Sequence, residues 1–107
     1  GANKESKKRL KTALKYLQSN EDALFYEEVA KALWGFVADK FTIDQVDLTT
    51  DKIKEKLLER KISEESTDKL IQILQRCEFA RFAPSADNKG KEELFEEASD
   101  IIQELNK

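Results

Sequence analysis

Between Lys4 and Ser19, Leu10, Ala13, Leu14 and Leu17 recur at i, i+3, i+4 and i+7, which puts one apolar stripe on a helix whose other face is cationic. The next run, to about Phe41, is the most apolar of the chain. Phe25, Val29, Leu33 and Phe36 form its central stripe, and Tyr26, Ala30, Trp34 and Val37 widen it. A stripe that wide needs cover from two sides, so this helix is expected at the centre of the fold. Asn20 is its expected N-cap, with Glu21 and Asp22 suited to the positive end of the helix dipole.

Thr42 to Thr50 reads as a connection in which Ile43, Val46 and Leu48 point inward. Thr49 or Thr50 then caps a short helix through about Arg60, with Ile53 and Leu57 facing the core. Ser63, followed by Glu64 and Glu65, caps a fourth helix that carries Leu70, Ile71, Leu74, Cys77 and Ala80 and ends near Phe82, before Pro84. Ser85 to Gly90 are small and polar and read as a mobile loop. A last helix, from about Lys91 to Asn106, shows Leu94, Ala98, Ile101, Ile102 and Leu105 on one side. The pattern predicts an all-α fold: one domain over residues 1–107, a compact bundle of about five helices, the first two forming an antiparallel hairpin.

Composition agrees with that class. Three Gly and one Pro leave few sharp turns, which disfavours an all-β sandwich, and a 38% charged content suits a salt-laced helical surface over a thin core. The net charge of −3 is unevenly spread. Lys4, Lys7, Lys8, Arg9, Lys11 and Lys15 crowd the first helix, while Glu92, Glu93, Glu96, Glu97, Asp100 and Glu104 crowd the last.

The chemistry available is narrow. No histidine is present, which removes the commonest general base, the Ser-His-Asp and Cys-His arrangements and nearly all zinc sites. The single cysteine, Cys77, forms no internal disulfide, and its place on an apolar face reads as a small buried hydrophobe. Arg76 and Arg81 keep a reactive thiol as the alternative. The glycines stand isolated at Gly1, Gly35 and Gly90, so no phosphate-binding loop is formed. Asp44 and Glu55 have the end-to-end spacing of a calcium loop, but Val46 and Leu48 occupy its ligand positions and no glycine makes its central turn. Adjacent carboxylates such as Glu64/Glu65 and Glu92/Glu93 diverge around a helix and read as solvated faces. No catalytic residue, cofactor, metal site or small-molecule substrate is expected.

Nucleic-acid binding through the basic first helix is the alternative function. Against it, the helix after Arg60–Ser63 opens Ser63-Glu64-Glu65-Ser66, which would turn negative charge toward phosphates. Two further features suggest an excised piece of a longer chain, with Gly1 a cloning remnant: the chain contains no methionine, and it opens Gly-Ala. In such a tail, Lys4, Lys7, Lys8, Arg9, Lys11 and Lys15 form a membrane-proximal basic face that attracts anionic headgroups, a merely solvated helix face being the structural alternative.

Three stretches carry a resemblance. They are Ala23-Leu24-Phe25-Tyr26-Glu27-Glu28-Val29-Ala30-Lys31-Ala32-Leu33-Trp34-Gly35-Phe36, the Leu48-Thr49 turn leading into Lys52-Ile53, and Cys77-Glu78-Phe79-Ala80-Arg81-Phe82-Ala83-Pro84. In this order and spacing the chain resembles the C-terminal cytosolic region of BatD proteins, the Bacteroides aerotolerance family. The resemblance implies an extracytoplasmic β-rich region and a membrane span ahead of this domain, which then lies on the cytoplasmic side of the bacterial inner membrane. It also implies protein partners from the same operon, a MoxR-type ATPase and von Willebrand A-type proteins, and it assigns no catalytic residue here. Trp34, Phe79, Arg81 and Phe82 are the candidate partner surface, since aromatics and arginine are typical anchors. Their structural alternative is core packing for Trp34 and packing or capping at the helix end for the other three.

Overall fold

The computed structural model describes residues 1–83 and 88–107. Five helices follow one another, α1 (Ala2–Gln18), α2 (Asp22–Lys40), α3 (Thr50–Glu59), α4 (Glu64–Phe82) and α5 (Asn88–Leu105), with a single 3-10 turn at Gln45–Asp47 before α3. The described residues contain no strand. The helices α1 and α2 pack closely as the expected hairpin, and α2 also touches α4 and α5, which makes it the central helix. Phe25, Val29, Leu33, Phe36 and Val37 of α2 meet Leu10 and Ala13 of α1, Leu70, Leu74 and Cys77 of α4, and Leu94, Ala98 and Ile101 of α5 in one core. The short α3 lies against α4 and closes the core with Ile53 and Leu57.

Three helix ends turn without glycine. Asn20, Thr42 and Lys61 each take a positive φ, of 60°, 53° and 65°. Each is followed by an amide that reaches back five residues: Glu21 N–H to Tyr16 O at 2.9 Å, Ile43 N–H to Ala38 O at 2.9 Å and Ile62 N–H to Leu57 O at 3.0 Å. This is the Schellman closure, in which a left-handed residue lets the last free carbonyls of a helix find donors. Asn20 therefore ends α1 rather than capping α2, whose N-cap is Glu21 with no side-chain hydrogen bond. The expectation of an Asn20 cap is corrected by the tight hairpin. With only Ser19 to Glu21 between the helices, Asn20 is consumed by the turn. Thr49 and Ser63 do cap α3 and α4, accepting from Lys52 N–H at 3.3 Å and Ser66 N–H at 3.0 Å.

Thr42 is the costly member of the set, because a β-branched side chain crowds the backbone in the left-handed region. It is exposed and contributes nothing to the core. Thr42→Gly is expected to stabilise the fold by about 1 kcal/mol, the relief of strain exceeding the extra flexibility glycine gives the unfolded chain. Thermal unfolding followed by circular dichroism should show a rise of about 4–8 °C.

Some inward assignments change. Ile43 is buried and Leu48 half-buried as expected, but Val46 is 86% exposed, because the 3-10 turn swings it outward. Leu14 is also exposed, at the edge of the α1 stripe. In α4, Ile73 is buried while Ile71 is only half-buried. The helix α5 begins at Asn88, so residues 88–90 of the expected loop are helical, and the rest of that loop, with Pro84, lies outside the described residues.

Among the long-range polar contacts of the described residues, two tie the ends of α2 to other helices. Lys91 on α5 is 2% exposed, and its ammonium donates to Asp22 Oδ1 at the start of α2 at 2.6 Å. Arg60 at the end of α3 donates to the Phe41 carbonyl at 2.9 Å and lies over the Phe41 ring at 6.0 Å, tying α3 to the end of α2.

Candidate interaction surface

Helical geometry sets Gln72, Gln75, Phe79 and Phe82 on one line of α4, at i, i+3, i+7 and i+10, opposite the buried line of Leu70, Ile73, Leu74, Cys77 and Ala80. Phe79 is 72% exposed and Phe82 80% exposed, so among the described residues neither packs the helix end. Arg81 forms an ion pair with Glu78 at 3.5 Å, both partners about half exposed. The end of α4 is closed by the Ala83 amide, which donates to Phe79 O at 3.1 Å.

A shallow groove of about 560 Å³ runs beside Phe79. Tyr26, Ala80 and Leu94 supply its apolar lining, and Gln72, Gln75 and Arg76 its polar rim. Arg76 is held there by Glu97 of α5. Gln72, Gln75, Phe79 and Phe82 make this line uncharged, with Arg76, Glu78 and Arg81 to either side of it. Trp34 does not join this surface. It is half-buried against the core and lines no part of the groove.

The basic stretch divides. Lys4, Lys7, Lys8, Lys11 and Lys15 are all exposed and form no ion pair among the described residues. At 100° per residue they occupy one stripe of α1, spanning about 17 Å. Arg9 lies off that stripe, half-buried, with its guanidinium 3.4 Å from Glu28 of α2.

No family model, curated protein or solved structure matches the chain.

Cys77 is fully buried. Burial pushes its thiol from 9.0 up to about 12, Arg76 lowering and Glu78 raising it by smaller amounts, so at neutral pH it is an inert packing group. Arg76 and Arg81 do not activate it. Among the described residues no three His, Cys, Asp or Glu side chains converge to hold a metal ion, and no helix is long and apolar enough to cross a membrane. Two features escaped the sequence pattern, the groove and the Gln72–Gln75 half of the stripe. Glutamine gives no hydropathy signal, and Tyr26 and Leu94 come from helices far apart in sequence.

Proposed function

We propose that this is a non-catalytic protein-interaction domain that docks partners on the outer stripe of α4. The observation that carries the reading is the pair of phenyl rings, Phe79 and Phe82, left in solvent one turn apart on an uncharged line. Exposing two large apolar rings is unfavourable unless something covers them, and Arg81 beside them supplies a charged rim. The sequence resemblance gives the setting: the cytoplasmic tail of a membrane-anchored BatD-like envelope protein, with a MoxR-type ATPase or a von Willebrand A-type protein as the docked component.

The lysine stripe of α1 supports the membrane-proximal part of this proposal. Five exposed lysines that form no ion pair among the described residues present a cationic ridge with Glu5 at its edge, and each adds about 1 kcal/mol of attraction to an anionic headgroup layer. The same ridge favours nucleic acid as the second reading. A duplex-DNA titration separates the two, because phosphate binding weakens steeply as salt rises.

The proposal is tested by recovering the ATPase and von Willebrand A proteins with the full-length protein, a version lacking this domain and the Phe79→Ser/Phe82→Ser variant. Loss of one partner by at least about tenfold in both altered proteins is expected, since two central aromatic anchors exceed about 2 kcal/mol together. Equal recovery of every partner in all three would sink the reading.

A further inference from the structure

We infer that α1 lies flat on a bilayer of anionic phospholipid through its lysine ridge, and that this contact turns the α4 stripe, on the far side of the bundle, into the water. This rests on the membrane-proximal reading above and adds to it a contact face and an orientation.

The ridge is defined by what it includes and what it leaves out. Lys4, Lys7, Lys8, Lys11 and Lys15 fall within about 100° of the α1 circumference, turned away from the buried line of Ser6, Leu10 and Ala13. Glu5 stands at the edge of the ridge and offsets part of its charge. The one arginine of α1, Arg9, is drawn off the ridge to Glu28. Arginine is the side chain for bidentate recognition of phosphates and base edges, while lysine is a mobile point charge. A ridge of lysines alone therefore suits a diffuse anionic sheet better than a specific ligand. Shape favours the same partner. A flat headgroup layer meets every lysine of a fan about 100° wide, whereas a convex DNA duplex curves away from the outer ones. Leu14, 37% exposed at the edge of the ridge, adds an apolar side chain at the level of the headgroup boundary.

The rest of the fold sets which way the domain faces. The helices α1 and α4 each pack on both α2 and α5, so they occupy opposite corners of the bundle. The lysine ridge and the line of Phe79 and Phe82 both turn away from the core, and therefore away from each other. Beside α1, the outer face of α5 carries Glu93, Glu96 and Asp100, exposed and without an ion pair among the described residues. An anionic bilayer repels that face, so the domain settles on α1 and does not roll toward α5. Phe79 and Phe82 are then open to a partner arriving from the water.

The charge sets the strength. Each lysine near an anionic surface raises affinity about fivefold, the equivalent of about 1 kcal/mol. Five lysines less Glu5 give a preference of about several hundredfold for anionic over neutral vesicles, half-saturated at about 1 mM accessible lipid. A contact this weak suffices for a domain tethered at the bilayer, where effective concentrations are on the order of millimolar.

Co-sedimentation of the chain with vesicles of about one-third phosphatidylglycerol in phosphatidylcholine, at about 1 mM accessible lipid, tests the contact. About half of the chain is expected to pellet at about 0.05 M salt, and little at about 0.5 M salt or with phosphatidylcholine alone. Lys7→Gln/Lys11→Gln/Lys15→Gln should lower the affinity about 100-fold. Lys31→Gln/Lys52→Gln/Lys69→Gln removes the same charge from exposed positions of α2, α3 and α4, and should stay within about threefold of the original chain. Orientation is read from a fluorophore on Gln18→Cys, at the end of the ridge, or on Gln75→Cys, on the α4 line, since buried Cys77 takes no label. A quencher carried on the lipid headgroups should quench the first and spare the second. Equal binding to neutral vesicles, or equal losses in the two triple variants, overturns the ridge contact. Tighter binding to a DNA duplex than to vesicles at equal phosphate concentration overturns it in favour of nucleic acid. Vesicle binding that depends on the ridge but quenches both fluorophores alike overturns the orientation and leaves the membrane-proximal reading standing. No vesicle binding, while Phe79→Ser/Phe82→Ser still loses an envelope partner, overturns the membrane contact and leaves the α4 docking surface standing.

Discussion

Asp22→Ala is expected to destabilise the domain by about 3 kcal/mol, while Lys91→Met is expected to cost less than about 1 kcal/mol or to stabilise it. The asymmetry follows from where the two charges lie. The Lys91 side chain is 2% exposed and that of Asp22 27% exposed, with 2.6 Å between the charged atoms. Removing Asp22 leaves an ammonium group enclosed by the core without its counter-ion, and also takes an acid from the positive end of α2. Removing the lysine leaves a carboxylate that still reaches water, and methionine fills the lysine's volume with apolar atoms. The first value sits at the low end for a broken buried pair because Asp22 is partly solvated. Thermal unfolding should show a fall of about 12–24 °C for Asp22→Ala and little change for Lys91→Met. Equal losses in both would mean the pair contributes mainly by direct attraction.

Stability is further expected to decline above pH 9 through Cys77. Below pH 9 the thiol is protonated in both folded and unfolded chains and its ionisation leaves stability unchanged. Above 9.0 the unfolded chain loses this proton, while burial holds the folded thiol protonated up to about 12. The unfolded state then binds fewer protons, so unfolding becomes easier as pH rises. The slope approaches about 1.4 kcal/mol per pH unit within that window and levels off above it. Urea unfolding of the original chain and of Cys77→Ala at pH 8, 9, 10 and 11 isolates the effect. Cys77→Ala is expected to be less stable at pH 8 because of the small cavity, and to lose less stability as pH rises. Parallel pH profiles for the two would show that the thiol ionises without unfolding.

The five helices were legible in the sequence because each carries a continuous apolar face at helical spacing, from Leu10 and Ala13 through Ile101, Ile102 and Leu105. The turns were less so. Asn20 looks like a cap because it precedes two acids, yet the structure uses it, with Thr42 and Lys61, as a left-handed helix end that no glycine announces. Val46 has the hydropathy of a core residue, but a three-residue 3-10 turn decides its direction. The Lys91–Asp22 pair joins residues 69 positions apart, and a lysine among glutamates in α5 gives no hint that it is buried.

The candidate surface was half legible. Phe79, Arg81 and Phe82 stand out by type and spacing, but periodicity alone left packing and exposure open, since Phe79 lies two residues from buried Cys77 and one from buried Ala80. Trp34 shows the converse, an aromatic at the edge of its stripe that the structure packs against the core. The basic stretch reads as six residues, whereas Glu28 of α2 draws Arg9 away and leaves five lysines on the open ridge.

If the α4 stripe is the docking surface, exposed apolar side chains elsewhere stay uncovered. Val46, 86% exposed on the 3-10 turn, is the natural control for Phe79. A photo-reactive phenylalanine analogue placed at each position in the full-length protein, and activated in intact cells, separates the two sites. A docking surface on α4 gives a discrete adduct from position 79, to the MoxR-type ATPase or a von Willebrand A-type protein, and no such adduct from position 46. Matching adducts from both positions, or none from position 79 in a folded protein, would contradict it.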